Sequence, residues 1–299
     1  MKKAYFKYIF ALLLFGSNGI VASNISLSSY EIVFLRTMIG SVLLILIFLF
    51  TKRRLTIFQH KGQFLLLSIS GMALGISWIF LYEAYQLIGV SIASLAYYCG
   101  PVIIMVLSPL LFHERLTFSK VIGFLTVLVG ICLVNGQIIE SGANSRGLIC
   151  GAVSAAMYAV MVIFNKKAKD ITGLENSMLQ LFTSFLTVAV YVISKQGIII
   201  HIAASDIIPV LVLGILNTGI GCYFYFSSID HLSAQTVAIC GYLEPLSAVG
   251  FSILILGEDM SVTQFIGAVL ILSGAIFGEV FNIATMQKKK RAILEADTE

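Results

Sequence analysis

Ten apolar runs, each about as long as an α-helix must be to cross a bilayer, take up most of this 299-residue sequence. They fall at about 7–23, 30–51, 64–87, 91–112, 118–136, 147–165, 174–195, 205–228, 234–256 and 262–284. With 59% hydrophobic and 11% charged residues, against about 25% charged in soluble domains, the chain is neither an ordinary soluble enzyme nor a disordered segment. The expected fold is an all-α polytopic membrane protein with ten transmembrane helices.

Charge placement supports the same reading. The net charge is only +4, and the cationic residues cluster between or beyond the apolar runs. They lie at Lys2, Lys3 and Lys7, at Lys52 to Lys61, at Arg115 and Lys120, at Lys166, Lys167 and Lys169, and at Lys288 to Arg291. Aromatic residues do not interleave with them as a nucleic-acid groove requires, so the expected partners are the lipid bilayer and a small molecule, with no nucleic acid. With the amino terminus inside, sixteen lysines and arginines fall on inner segments, two (Arg146 and Lys195) on outer loops, and one (Arg36) within a span. Cytoplasmic loops carry such an excess, which places both termini in the cytoplasm, in a plasma membrane of bacterial type. The first run, preceded by Lys2, Lys3 and Lys7, has the form of a secretory signal but reads as an uncleaved span, because its counterpart at 147–165 would otherwise be unmatched.

That counterpart belongs to an internal repeat. A shift of 144 residues, without a gap, aligns Glu31 with Glu175, Gly75 with Gly219, Tyr98 with Tyr242 and Pro101 with Pro245. The same register pairs Ser108 with Ser252, Glu114 with Glu258, Gly123 with Gly267 and Gly130 with Gly274. It superposes five runs on five, giving units at 6–136 and 147–284 and a cytoplasmic tail at 285–299. Five is odd, so the second unit enters the membrane from the opposite side, and the expected architecture is two inverted five-helix repeats. Such repeats are common in transporters, where two opposed copies expose one central site to either face in turn.

Catalytic and metal signatures are missing. The five cysteines lie inside apolar runs without CxxC spacing, and the four histidines are scattered. No phosphate-binding GxxxxGK[ST] loop or GxSxG elbow occurs, so no cofactor, metal or enzyme activity is expected.

Two halves, each with a proline in its fourth helix, an acidic residue closing that helix and glycines in the fifth, resemble the EamA family of the drug/metabolite transporter superfamily. The second half carries Gly241-Tyr242-Leu243-Glu244-Pro245, Leu256-Gly257-Glu258, Gly267 and Gly274, and the first carries Gly100-Pro101, Glu114, Gly123 and Gly130. One departure is His113-Glu114, where the family usually has Gly-Glu. The resemblance implies a ten-helix fold with a central cavity formed largely by the first, third and fourth helices of each half. It does not specify a substrate.

Several residues are candidates for that cavity. Pro101 and Pro245, read as interior to helices four and nine, free the carbonyls of Tyr97 and Gly241, making either a paired hinge or a static kink. Glu244 is a carboxylate at membrane depth, which must face the bundle interior or water. It reads as a proton carrier, as a counter-ion for a cationic substrate group, or as a structural acid bonded to nearby backbone. Glu83 and Arg36, in the outer third of helices three and two, either pair with each other or reach outward separately. Asn18, Trp78, Tyr82, Tyr158, Asn217 and Tyr223 add polar and aromatic groups, and Tyr97, Tyr98 and Tyr242 lie within about a turn of the prolines. The spacings Gly71/Gly75, Gly147/Gly151 and Gly274/Gly278 allow close helix approach, and the last offers a homodimer contact. Glu114 and Glu258 read as anchors at helix ends.

The expected function is secondary transport of a small organic metabolite such as an amino acid, as exporter or facilitator. The alternative is a membrane-embedded interaction or sensing protein on the same fold. A lipid-modifying enzyme lacks any catalytic constellation.

Overall fold

Helix boundaries follow local capping chemistry. Before the helix Ser29–Phe50, Ser28 Oγ accepts the Glu31 N–H at 3.4 Å, while the Glu31 carboxylate accepts the Ser28 N–H at 2.9 Å. Ser233 caps the helix Ala234–Gly241 in the same way, accepting the Thr236 N–H at 3.0 Å. The computed structural model describes residues 2–51, 55–135, 145–197, 200–256 and 261–278. Its helices in chain order are α1 (Lys2–Gly16), α2 (Asn18–Ala22), α3 (Ser29–Phe50), α4 (Lys61–Tyr97), α5 (Cys99–Phe112), α6 (Phe118–Asn135) and α7 (Ser145–Lys167). They continue with α8 (Gly173–Gln196), α9 (Ile207–Val212), α10 (Gly221–Ile229), α11 (Ala234–Gly241), α12 (Leu243–Phe251) and α13 (Val262–Gly278). Wider π-helical turns occupy Leu213–Ile220, between α9 and α10, and Ser252–Leu256 after α12.

The described residues contain no strand. Seven helical segments are long and apolar enough to cross a membrane, and three shorter apolar helices, Cys99–Phe112, Phe118–Leu133 and Val262–Gly278, lie on the remaining expected runs. Phe50, Leu110, Phe118, Val190, Ile208 and Leu254 are each at least 71% exposed. Inside, Asn165, Asn176, Gln180 and Gln235 are fully buried and each donates from its amide nitrogen, Asn165 to Asn176 at 3.0 Å and Gln180 to Ser70 at 2.8 Å, while the amide oxygens of Asn165, Gln180 and Gln235 have no partner among the described residues. Apolar groups outside and paired polar groups inside are the polarity of a chain solvated by lipid. The protein is a multi-pass membrane protein.

The two halves are interlocked. Along α7, contacts with α4 run from Ser70 at Met161, through Ser77 at Ser154, to Leu87 and Ile88 at Gly147. They then turn back, with Ala96 of α4 at Gly151 and, in α5, Gly100 at Ala155 and Tyr158. Helical hydrogen bonding is continuous from Lys61 to Tyr97, where the sequence predicts a break near 88–90, yet the packing reverses between Ile88 and Ala93. The second half repeats the arrangement around α1. Asn217 bonds Leu14 O and Asn18, and Lys7 bonds Ser227, after which Tyr8 bonds Val237 O and Gly16 meets Ser247. Each half thus wraps the first helix of the other.

Corresponding helices run antiparallel where they meet. Between α3 and α8, Tyr30 packs against Tyr191 and Phe34 against Phe185, each pair of rings tilted by 54°. Between α6 and α13, a β-carbon at Gly123 would come within 2.6 Å of Gly274 O, and one at Gly130 within 2.7 Å of Gly267 O. Gly123 therefore meets the repeat equivalent of Gly130, and Gly130 meets the equivalent of Gly123. This close approach requires glycine. Gly278 also faces Gly123, so the Gly274/Gly278 face expected to serve a dimer is used within the chain.

The ends of the bundle differ in charge. At one end lie the contacts of Lys7 with Ser227, Gln63 with Lys169, and Lys166 with the carbonyls of Ile229 and Leu232. Glu114 joins them by accepting the Ala234 N–H at 2.7 Å and the Gln235 N–H at 3.1 Å, an anchor at the positive end of α11. Its repeat partner Glu258 lies outside the described residues, as do 279–299. At the other end, Ser26 donates to Asp206 at 2.6 Å and Glu83 pairs with Arg146 at 3.6 Å.

Candidate functional site

Each half interrupts its fourth helix at an equivalent tyrosine. The break before α5 is at Tyr98, with φ −69° and ψ 0°, and that before α12 is at Tyr242, with φ −71° and ψ −3°. The sequence places Pro101 and Pro245 in helix interiors. Instead a new helix begins two residues before each, so both stand in a first turn, where the missing N–H leaves no partner unsatisfied. The two breaks touch: Tyr242 OH donates to Tyr98 O at 2.8 Å.

Beside these breaks is a partly open cavity with about 430 Å³ of empty space between its walls. The first half contributes Phe15 from α1, Asn18 from α2, Arg36 from α3, and Leu74, Trp78 and Tyr97 from α4. The second half contributes Tyr158 and Met161 from α7, Cys222, Tyr225 and Phe226 from α10, and Glu244 from α12. Aromatic rings support one another around it. Tyr97 meets Tyr158 edge-on with ring centres 5.3 Å apart, and the hydroxyls of Tyr158 and Tyr225 are 2.9 Å apart. Such offset contacts hold rings in fixed orientations.

Two ionisable side chains of opposite sign share the cavity. Glu244 sits in the first turn of α12, where the helix dipole favours a carboxylate. Arg36 is 3% exposed. Its Nε donates to Thr218 Oγ1 at 2.9 Å, its Nη1 donates to Tyr82 OH at 3.3 Å, and its Cζ lies 4.7 Å from the Trp78 ring centre. Thr218 belongs to the π-helical turn and donates in turn to Leu213 O at 2.8 Å. Asn217, in the same turn, donates to Leu14 O at 2.7 Å and Ser17 Oγ at 2.8 Å, holding the α1–α2 break that presents Asn18.

The structure thus brings together Asn18, Arg36, Trp78, Tyr97, Tyr158 and Glu244. Tyr98, Pro101, Gly241, Tyr242 and Pro245 stand behind the lining at the helix breaks, with Pro101, Gly241, Tyr242 and Pro245 buried. Glu83 is elsewhere. Its partner is Arg146 at the bundle end, not Arg36.

Sequence reasoning passed over Phe15, Leu74, Met161, Cys222, Tyr225 and Phe226. For one of them a signal existed: the 144-residue shift carries Trp78 onto Cys222, so a lining role at one position implied the other. The rest are apolar or aromatic residues in apolar helices, which nothing distinguishes from core.

The sequence matches the EamA-like transporter family twice, over residues 2–136 and 145–278, and the chain belongs to that family. It is 24% identical over 274 residues to a protein named uncharacterized transporter YxxF of Bacillus subtilis strain 168, spanning 91% of this chain and 88% of the relative. Protein PecM of Dickeya dadantii is 22% identical over 233 residues, covering 77% of this chain and 78% of that protein. A solved crystal structure superposes with a TM-score of 0.78 at 19% identity, over 93% of this chain and 98% of the other, and so shares its fold.

Proposed function

We propose that the protein is a secondary transporter, an exporter or facilitator of a small organic metabolite such as an amino acid, and that it works by alternating access. In this reading the seven longer and three shorter apolar helices make ten spans, as two inverted five-helix repeats. The units are 6–136 and 147–284, both termini are cytoplasmic, and the host is a plasma membrane. The observation that carries the reading is the cavity: it lies between the halves, beside two helix breaks at equivalent residues, and holds one acidic and one basic side chain. Transporter sites gather at interrupted helices near the midplane, where half-helix ends and buried charges meet the substrate. The clustering of Lys7, Lys61, Lys120, Lys166 and Lys169 on segments of one bundle end supports the orientation. The reciprocal packing of α1 and α7 supports relative rocking of the two halves.

Flux decides the question. Purified protein in liposomes, assayed for uptake and efflux of a panel of amino acids and related metabolites, is expected to move at least one of them saturably. No flux of any compound, together with specific recovery of a protein partner, would overturn the reading in favour of an interaction or sensing role.

A further inference from the structure

Among the described residues, no anion contacts the buried cation Arg36. Ion pairs among the described residues include His60 with Asp170 and Glu83 with Arg146, and no carboxylate of those residues lies within 4.0 Å of the Arg36 guanidinium. Its partners, Thr218, Tyr82 and the Trp78 ring, are all neutral. They fix the orientation of the guanidinium but supply no contacting counter-charge, so that its charge is met only across the cavity by Glu244, and a buried cation held without an anion at hydrogen-bond distance is disfavoured in a low-dielectric interior. Glu244 lines the same cavity without touching it.

A guanidinium has five N–H donors in a planar fork, and the two hydrogen bonds to Thr218 and Tyr82 engage two of them. The remaining donors belong to a side chain that forms part of the cavity wall. A planar fork with free donors matches a carboxylate, which it binds through two parallel hydrogen bonds. Because Glu244 already places one ionisable acid beside Arg36 in the same space, a singly charged ligand fits better than a phosphate dianion.

We propose that Arg36 receives the carboxylate of the transported molecule, which restricts the substrates to small carboxylic acids and amino acids with an apolar body against Trp78, Tyr97 and Tyr158. This inference rests on the transporter reading. A free amino acid and a plain carboxylic acid share this chemistry; they differ in the ammonium group, for which Glu244 is the available partner.

The site carries its own reporter, since Trp78 is the single tryptophan of the chain and stacks on Arg36. Tryptophan emission of the purified full-length protein would be titrated with leucine and phenylalanine, with their deaminated acids, and with their decarboxylated amines. Saturable changes are expected with carboxylate-bearing probes and not with the amines. Arg36→Gln is expected to weaken that response at least about tenfold, the usual worth of a charge-assisted pair. Arg36→Lys, which keeps the charge but loses the fork, is expected to fall between, and it carries the test should the glutamine variant misfold. Response to amino acids alone assigns the ammonium to Glu244, whereas response to the deaminated acids as well shows that the carboxylate suffices. The proposal is overturned by amines that titrate as well as acids, by carboxylates that give no saturable change, or by variants indistinguishable from the parent. Carboxylate binding without flux would sink the transporter reading alone, and flux indifferent to Arg36 would sink this inference alone.

Discussion

The hydroxyl of Tyr242 donates a hydrogen bond to the main-chain carbonyl of Tyr98, and the two residues are equivalents in the 144-residue repeat. Each marks the break in the fourth helix of its half, so one bond links the two interruptions beside the cavity. Only one direction of the pair is used, which makes the site asymmetric despite the repeat.

Tyr242→Phe removes that bond while keeping the ring that packs on Phe124 at 6.1 Å. The Tyr98 carbonyl loses a buried donor, at a cost of about 1 to 2 kcal/mol. A lower midpoint of thermal unfolding in detergent is expected, by a few degrees. An unchanged midpoint would show that the bond contributes nothing to holding the breaks together.

At the end of α5, His113 adopts φ 55° and ψ 27°, the left-handed conformation that closes helices and that glycine adopts without strain. The repeat-equivalent position is Gly257, a residue type that adopts this conformation freely. His113→Gly is expected to stabilise the protein by about 0.5 to 1 kcal/mol, after the greater chain entropy of glycine is subtracted. Equal or lower stability would mean that the imidazole makes compensating interactions.

Much of this architecture was legible in the sequence because span length and the 144-residue register are long-range signals that lipid solvation does not erase. Positions such as Glu244 and Arg36 stood out for the same reason: a charge in an apolar run is conspicuous. The partners of those charges were not legible. Thr218, which holds Arg36, lies 182 positions away in a π-helical turn, and Tyr225 looks like any aromatic residue of an apolar helix. In water an amphipathic stripe reveals which face of a helix is buried. In lipid both faces are apolar, so facing is decided by packing partners that a single sequence does not record.

Glu244→Gln is expected to leave membrane insertion normal and to alter transport or its pH dependence, because it removes the acidic side chain from the cavity lining. Flux in liposomes from acid to alkaline pH measures this. Identical profiles for parent and variant would exclude a proton-carrying role while leaving transport itself intact.

Inverted topology requires that equivalent loops face opposite sides. Single cysteines placed just after Arg115 and just after Asp259, in a background lacking the five native cysteines, are expected to react with a membrane-impermeant maleimide from opposite faces of intact cells. Labelling of both from one face would dismantle the inverted arrangement and the alternating access built on it.

Asp230, in the turn between α10 and α11, gives a pH dependence whose sign is fixed. Burial pushes its carboxyl up from the ordinary 3.8 to about 6, against the opposing effects of its hydrogen bond from Asn176, the charge of Lys166 and the backbone of Gly173. The Asn176 amide lies 3.2 Å from one of its oxygens. A raised carboxyl means that the folded protein holds this proton more tightly than the unfolded chain does. Its contribution to stability is therefore fully present below about pH 4 and is lost as pH rises through about 6. Asp230→Asn, which mimics the protonated group, is expected to match the parent below that window and to exceed it above, by on the order of 2 kcal/mol. Thermal unfolding of both proteins across pH 4 to 7 reads this as two curves that diverge on the alkaline side. Curves that stay parallel would show that Asp230 titrates as it does in the unfolded chain, and that Asn176 and Lys166 fully offset its burial.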